Sequence, residues 1–160
     1  MKVSADLVIL RVCLAAVLLV SASVRSVAAE PDQLAKAFAP AAGKAAIYVY
    51  RSRSSLGPKR WPVRIDGKRF GNIAKGEFYW LEVDPGEHEV WVGVGGGAGP
   101  HAQVTLVPIS AQIGQSYFVR VYVGYAHDKH EEVNPETGKA EILACCKLVA
   151  PETNAAPLFP

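Results

Sequence analysis

The chain has 160 residues, of which 50% are hydrophobic and 20% are charged, and its formal net charge is +2. This apolar fraction excludes an intrinsically disordered chain, and the length is that of a single domain. Three cysteines are too few for a small fold held by disulfides, and the apolar runs are too short for a protein that crosses a membrane several times.

The N-terminal 29 residues have the pattern of a secretory signal peptide. Residues 12–24 are apolar or small, and a bilayer span needs about 20 such residues. Val27 and Ala29 supply the small residues that signal peptidase requires, and Pro31 keeps the following chain extended. We therefore expect cleavage between Ala29 and Glu30 and a secreted or periplasmic protein with no transmembrane span in the mature chain. An uncleaved N-terminal anchor is the alternative.

The charges of the remaining chain balance but are segregated. Acidic and basic residues are equally numerous after residue 29, so no net charge favours nucleic-acid binding. Residues 44–75 carry nine basic residues and one acid, whereas the chain from Gly76 onward carries eleven acids and four bases. These blocks either pair with each other in the fold or leave a basic face toward an anionic envelope surface.

Beyond Gly43 the hydrophobic period becomes two, which is typical of strands. Asp66–Gly67 predicts a tight hairpin and residues 84–86 (DPG) predict a second turn. Strands are predicted at 46–51, 61–65, 68–73, 78–83, 88–94, 104–108, 117–123 and 141–149, the last of which also suits a helix. This pattern favours an all-β fold, a single antiparallel β-sandwich of about seven or eight short strands with an Ig- or transthyretin-like architecture.

The domain organisation follows from the same pattern. After the signal peptide, residues 30–43 are expected to form a flexible leader, residues 44–150 the β-sandwich domain, and residues 151–160 a disordered tail.

Four segments carry a family resemblance, namely residues 45–51 (AAIYVYR), 63–67 (VRIDG), 78–88 (FYWLEVDPGEH) and 114–121 (GQSYFVRV). They resemble the bacterial envelope family of domains of unknown function numbered 2846, and the DG…PG-x-H pattern is similar to PEGA domains. The resemblance implies a small exported β-sandwich, and it implies no catalytic residues. The lipobox of the lipoprotein members is absent, so the mode of anchoring stays open.

A glycine-rich run at 93–99 formally contains the dinucleotide-binding fingerprint. That motif needs a following helix and an acid about 20 residues on, whereas Pro100 and His101 lead into another strand. We therefore interpret the run as a loop between strands, which can contact a partner. With the basic loop from Arg51 to Trp61 it forms the predicted partner-binding surface, whose residues are Arg51, Arg53, Lys59, Arg60, Trp61, Gly95, Gly96, Gly97 and His101.

Histidines and cysteines offer other chemistry. His127 and His130 are weak candidates for metal ligands, because a polar loop explains their spacing equally well. His88 follows a turn and is predicted to hydrogen-bond that turn. Cys145 and Cys146 are redox candidates, with three states open: free thiols, an intermolecular disulfide, or a disulfide between the two neighbours. The last requires a non-strand backbone, because neighbours on a strand point to opposite faces.

Aromatic residues complete the set of candidates. The sequence does not assign all of the aromatic residues Tyr48, Tyr50, Trp80 and Trp91 to the core. An outward cluster beside Arg51, Arg53 and Arg60 would form a carbohydrate or partner surface.

No catalytic constellation is recognisable, so we predict no catalytic residue and no cofactor. The sequence therefore predicts an exported, non-catalytic binding or structural module of the cell envelope, whose partner is a protein or another envelope component. The alternative is a metal- or redox-responsive envelope protein that uses the histidine pair His127 and His130 and the cysteine pair Cys145 and Cys146.

Overall fold

A computed structural model describes residues 30–57, 60–93, 104–124 and 128–151. The described residues form nine strands and two helices. In chain order these are α1 (Pro31–Ala35), β1 (Ala45–Arg51), β2 (Trp61–Ile65), β3 (Lys68–Ile73), β4 (Glu77–Val83), β5 (Gly86–Gly93), β6 (Val104–Ala111), β7 (Ser116–Val123), β8 (Asp128–Val133), α2 (Pro135–Cys145) and β9 (Lys147–Leu148).

The strands form two packed sheets, which confirms the predicted sandwich. The first sheet has the order β8-β7-β1-β4-β9, and the second has the order β3-β2-β5-β6. Most neighbours are antiparallel, but β1 runs parallel to β7, and β4 runs parallel to β9. Alternate side chains of each strand point between the sheets and form the main core, which includes Ile47, Val49, Val63, Val90 and Val119.

A second apolar core lies on the outer face of the first sheet, beneath α1 and α2. It contains Tyr48, Tyr50, Trp80 and Phe118. The Tyr48 ring stacks on Phe118 with centroids 4.9 Å apart, and its hydroxyl donates to the backbone oxygen of Ala35 at 2.9 Å. Strand β1 is consequently buried along its whole length. Tyr48, Tyr50 and Trp80 therefore face away from the main core and are nevertheless buried.

The C-terminal segment differs from the predicted strand at 141–149. Helix α2 continues to Cys145, and only Lys147–Leu148 form a strand, paired with β4. The decisive signal is local: Asn134 accepts a hydrogen bond from the Thr137 amide at 2.8 Å, and a proline follows it at the first helical position. The polar residues around His130, for which the sequence favoured a loop, form β8.

The expected flexible leader at 30–43 packs against the first sheet instead. Ala35 is fully buried, and the Asp32 carboxylate accepts a hydrogen bond from the Leu148 amide at 2.7 Å. Ser116 donates to the Phe38 backbone oxygen at 3.1 Å. The leader thus covers part of the second core. The predicted signal peptide and residues 152–160 lie outside the described residues.

Asp66 and Gly67 form the predicted hairpin turn, with φ of 50° and 75°. His88 joins this turn to the next one, as predicted: its Nδ1 lies 2.7 Å from Asp66 Oδ2, and its Nε2 lies 2.8 Å from the Asp84 backbone oxygen. Both partners are acceptors, so both ring nitrogens donate when the imidazole is protonated. Burial lowers the pKa of His88, but these hydrogen bonds and the charges of both aspartates outweigh it and raise that pKa above 6.5.

We therefore expect the folded chain to lose stability as the pH rises from about 6 to about 8.5. Because the pKa of His88 is higher in the folded chain, its contribution is complete below about 6.5 and is lost as the pH rises through the folded value. Urea unfolding of the wild type and of His88→Gln at both pH values measures this. The difference in unfolding free energy between the two chains should shrink at high pH, and a constant difference contradicts the protonated histidine.

Candidate functional site

Two residues of the predicted basic loop are not available to a partner. Arg51 is 0% exposed and Trp61 is 4% exposed. The Arg51 guanidinium donates to Ser55 Oγ at 3.1 Å and to the backbone oxygens of Leu56 and Gly57 at 2.6 and 3.1 Å. The buried guanidinium therefore stabilises the loop after β1 by hydrogen bonds from beneath it. Trp61 begins β2 and points into the sandwich, so the prediction of a contact role was wrong for both side chains.

Arg53 and Arg60 are exposed, but both hydrogen-bond to distant parts of the chain. Arg53 Nε donates to the Cys145 backbone oxygen at 3.1 Å, and Arg60 pairs with Glu77 at 3.0 Å. Both arginines lie beside the start of β4, since Arg53 packs on Gly76 and Arg60 binds the next residue, Glu77. The remaining residues of the predicted surface, which are Lys59, Gly95, Gly96, Gly97 and His101, lie outside the described residues.

Ion pairs between described residues join the two charge blocks at two places. Lys44 binds Asp84 at 2.7 Å, and the pair of Arg60 and Glu77 joins the blocks a second time. Arg64 and Arg69 belong to the same basic block and lie on the exposed face of the second sheet. The basic block thus supplies both internal ion pairs and part of an open face.

That exposed face carries a continuous row of four side chains, one from each strand. Arg69 on β3 is opposite Arg64 on β2, Arg64 is opposite Trp91 on β5, and Trp91 is opposite Leu106 on β6. We call these four residues the Arg–Trp row. With neighbouring strands about 4.8 Å apart, the row spans about 14 Å. It places two guanidinium groups beside two large apolar side chains.

Strand alternation explains why the Arg–Trp row points outward. Val90 and Val92 on β5 and Val63 and Ile65 on β2 fill the main core, so the residues between them face the other way. Trp91 is 40% exposed and Leu106 is 45% exposed. Among the described residues no helix covers this face, in contrast to the outer face of the first sheet.

The neighbouring positions on the same face give the row an edge of opposite charge. Glu89 lies two residues before Trp91 and is exposed, as is its cross-strand partner Pro108. On the other side, Pro62 packs close to Gly93. The row therefore has a positive end at β2 and β3 and an acid beside its part on β5.

A cavity of about 200 Å³ lies elsewhere, lined by Arg120, Tyr122, Lys129 and Glu131. Its charges satisfy each other: Arg120 binds Glu131 at 2.7 Å and Glu141 at 2.9 Å, and Lys129 binds Glu131 at 2.6 Å. The hydrogen bonds from Lys129 and Arg120 lower the pKa of the Glu131 carboxyl. This cluster attaches α2 to β7 and β8, which is a structural role.

Cys145 and Cys146 form a disulfide with each other. The structure thus selects one of the three states that the sequence left open. The pair lies where α2 ends and the chain becomes extended, with Cys146 at φ −117° and ψ 148°. This position meets the requirement for a backbone that is not a strand. Cys145 is partly exposed, whereas Cys146 is 3% exposed.

The histidine pair is not assembled into a metal site in the part of the chain that can be described. His130 lies on β8, is 7% exposed, and packs its ring edge-on against Trp61 at 5.3 Å. Its predicted partner His127 is outside the described residues. Within residues 30–57, 60–93, 104–124 and 128–151, no group of three or more His, Cys, Asp or Glu side chains is placed to hold a metal ion.

Comparison with known protein families shows to which family the chain belongs. The family model described as "Protein of unknown function (DUF2846)" matches residues 41–135, more than half of the chain. The chain belongs to this family. The match confirms the resemblance carried by the strand and turn motifs. No curated protein matches this DUF2846 protein. The matched range contains the whole Arg–Trp row and ends at the first residue of α2, so the disulfide lies beyond it.

No helix within the described residues of this DUF2846 protein is both long enough and apolar enough to cross a membrane.

Sequence reasoning did not single out the Arg–Trp row, although part of the signal was present. The alternation of Val90, Trp91 and Val92 already places the tryptophan opposite the core residues. The sequence does not reveal which of the two sheets the helices cover, and that information decides whether an outward aromatic residue is exposed.

Proposed function

We propose that this DUF2846 protein is an exported, non-catalytic binding module of the cell envelope, and that its contact surface is the Arg–Trp row. The observation that carries the proposal is the exposure of Trp91 and Leu106 directly beside two arginines, on a sheet face that no helix of the described residues covers. The row contains no nucleophile and no group that exchanges protons near neutral pH, so its chemistry is that of recognition.

The proposed partner is a protein with an acidic surface. A small molecule would need a concave site that buries most of its surface, and the Arg–Trp row lies on a sheet face. Tryptophan and arginine are the residue types that most often dominate protein–protein binding energy. Arg64 and Arg69 give this surface a positive charge that complements carboxylates, and the Arg64 guanidinium can donate two parallel hydrogen bonds to one. The row would form the centre of a larger interface.

Site-specific photo-crosslinking in cells tests this proposal. A photoreactive amino acid at position 106, within the row, should capture a protein partner. The same amino acid at position 143 is the matched control, because Leu143 is also strongly exposed, at 60%, but lies on α2 beyond the first sheet. The adduct at position 106 should fall on the order of tenfold when both Arg64 and Arg69 are changed to glutamate.

Three results would overturn the proposed contact surface: equal capture at 106 and 143, capture of lipid or glycan alone, or capture that is insensitive to the charge reversal.

Export of the protein is tested by a separate measurement in the same cells. The intact mass of the protein from the envelope fraction should correspond to a chain that begins at Glu30, and a mass that includes Met1 would contradict cleavage.

A further inference from the structure

We infer that the Cys145–Cys146 disulfide is a site of thiol–disulfide exchange in the folded protein, at which an external dithiol attacks the Sγ atom of Cys145. The site lies at the end of α2, beside the outer face of the first sheet and away from the Arg–Trp row, so the inference is independent of the proposed binding function. The substrate class is a protein or small molecule that carries two thiols.

A purely structural role explains this disulfide poorly. Disulfides stabilise a fold mainly by closing loops of the unfolded chain, and the effect grows with loop length. Here the bonded residues are sequence neighbours, so the loop is the shortest that a chain can form. The end of α2 is also fixed without the disulfide, since the Cys146 amide donates to the Ile142 oxygen at 2.9 Å and the Lys147 amide donates to the Gly76 oxygen at 2.9 Å.

The two sulfur atoms differ in their accessibility. Cys145 is partly exposed at the last residue of α2, whereas Cys146 is buried in the second core. An incoming thiolate can therefore approach Cys145, while Cys146 is protected. The Arg53 guanidinium lies against Cys145, because its Nε donates to the Cys145 backbone oxygen. Its positive charge favours the approach of an anionic thiolate.

The surroundings also accommodate the reduced pair. The Cys146 Sγ atom lies 3.7 Å from the backbone oxygen of Arg51, which is within range for a thiol donor. The same oxygen accepts a hydrogen bond from the Gly76 amide at 2.8 Å and retains a second lone pair. A protonated Cys146 thiol would thus be satisfied in place, so reduction does not leave a buried donor without an acceptor.

The exchange balances in two steps. A thiolate of the dithiol attacks Cys145 Sγ, the bond between the two cysteines breaks, and Cys146 leaves as a thiolate that takes a proton from water. The second thiol of the reagent, as a thiolate, then attacks the reagent's own sulfur in the mixed disulfide and releases Cys145, which is protonated in turn. The pair gains two electrons, and the dithiol leaves as a disulfide.

Reduction kinetics of the native protein test the inference. All chains carry Cys13→Ser so that only the pair reacts. With dithiothreitol as the probe, the rate of reduction should rise in proportion to reagent concentration and pass the rate of global unfolding without reaching a plateau. A plateau at the unfolding rate would show that the disulfide reacts only after the fold opens, and would overturn the inference.

Single-cysteine variants identify the attacked sulfur. Cys146→Ser keeps Cys145, and Cys145→Ser keeps Cys146; each is treated with oxidised glutathione in buffer and, for reference, in denaturing urea. Relative to the urea rate, the variant that keeps Cys145 should react at least about tenfold faster than the variant that keeps Cys146. Equal relative rates would overturn the assignment to Cys145. If either variant does not fold, the intact pair is treated with reduced glutathione and quenched with acid, and mass spectrometry identifies the cysteine that carries glutathione; glutathione on Cys146 would overturn the assignment.

Discussion

Gly138→Ala should destabilise the protein by about 2 kcal/mol or more, although alanine is the better helix former. Gly138 lies in α2 and is buried against the first sheet. A Cβ atom there would lie within 2.6 Å of Phe118 Cδ1 and closer still to Phe118 Cβ and Cγ. Phe118 cannot move aside easily, because it is fully buried and packs between Tyr48 and Phe38. The helix must therefore shift, which disturbs the second core.

Ala140→Gly is the matched control for this prediction. Ala140 is exposed on the same helix, so its replacement changes only helix propensity and should cost about 1 kcal/mol. Urea unfolding of both variants, followed by tryptophan fluorescence, gives the two free energies. If propensity alone mattered, Gly138→Ala would instead stabilise the chain by about the same 1 kcal/mol, and that result would contradict the close packing of α2 on β7.

Arg51→Leu should cost about 3 kcal/mol of unfolding free energy. The substitution removes every donor that the guanidinium directs at Ser55, Leu56 and Gly57, and it leaves their oxygens short of partners in a region that is partly or wholly buried. Ser55 also accepts a hydrogen bond from the Val123 amide at 3.0 Å. The damage should therefore extend from the loop after β1 to the end of β7.

Two further variants sharpen the interpretation. Arg51→Lys should recover little stability, because an ammonium group cannot reproduce a planar fork of donors to three oxygens. Arg53→Leu is the control, since Arg53 is exposed and only two residues away, and its loss should change stability by no more than about 0.5 kcal/mol. Thermal unfolding measures all three, and an Arg51→Leu chain as stable as the Arg53→Leu chain would contradict the internal role of Arg51.

Sequence reasoning succeeds here where the determinant is local. The Asp66–Gly67 turn needs two adjacent residues that tolerate positive φ, and both occupy that region. The strand at β1 is evident from its β-branched and aromatic residues, and the bonding of His88 to a turn follows from its position after one. Such features depend on a few neighbouring side chains, so a single sequence contains them.

It fails where burial depends on segments far apart in the chain. Arg51 is predicted in an exposed basic loop, but that loop is attached to the end of β7, since the Leu56 amide donates to the Val123 oxygen and the Val123 amide donates to Ser55. Tyr50 points away from the main core and is buried only because α2 returns to cover it, about 90 residues later, with Glu141 accepting from its hydroxyl. Trp91 also points away from the main core, but it is exposed because no described helix covers the outer face of the second sheet.

The parallel pairing of β1 with β7 has a consequence for the order in which the chain acquires structure. All four strands of the second sheet lie between residues 61 and 111, so this sheet can assemble as soon as that stretch has left the ribosome. Strand β1 emerges earlier, yet one of its two neighbours is not synthesised until residues 116–123. During this interval β1 can pair with β4 on one side only, and its other edge stays open, which is the kind of edge at which nascent chains aggregate. The open edge of this central strand therefore closes only after residues 116–123 have been made.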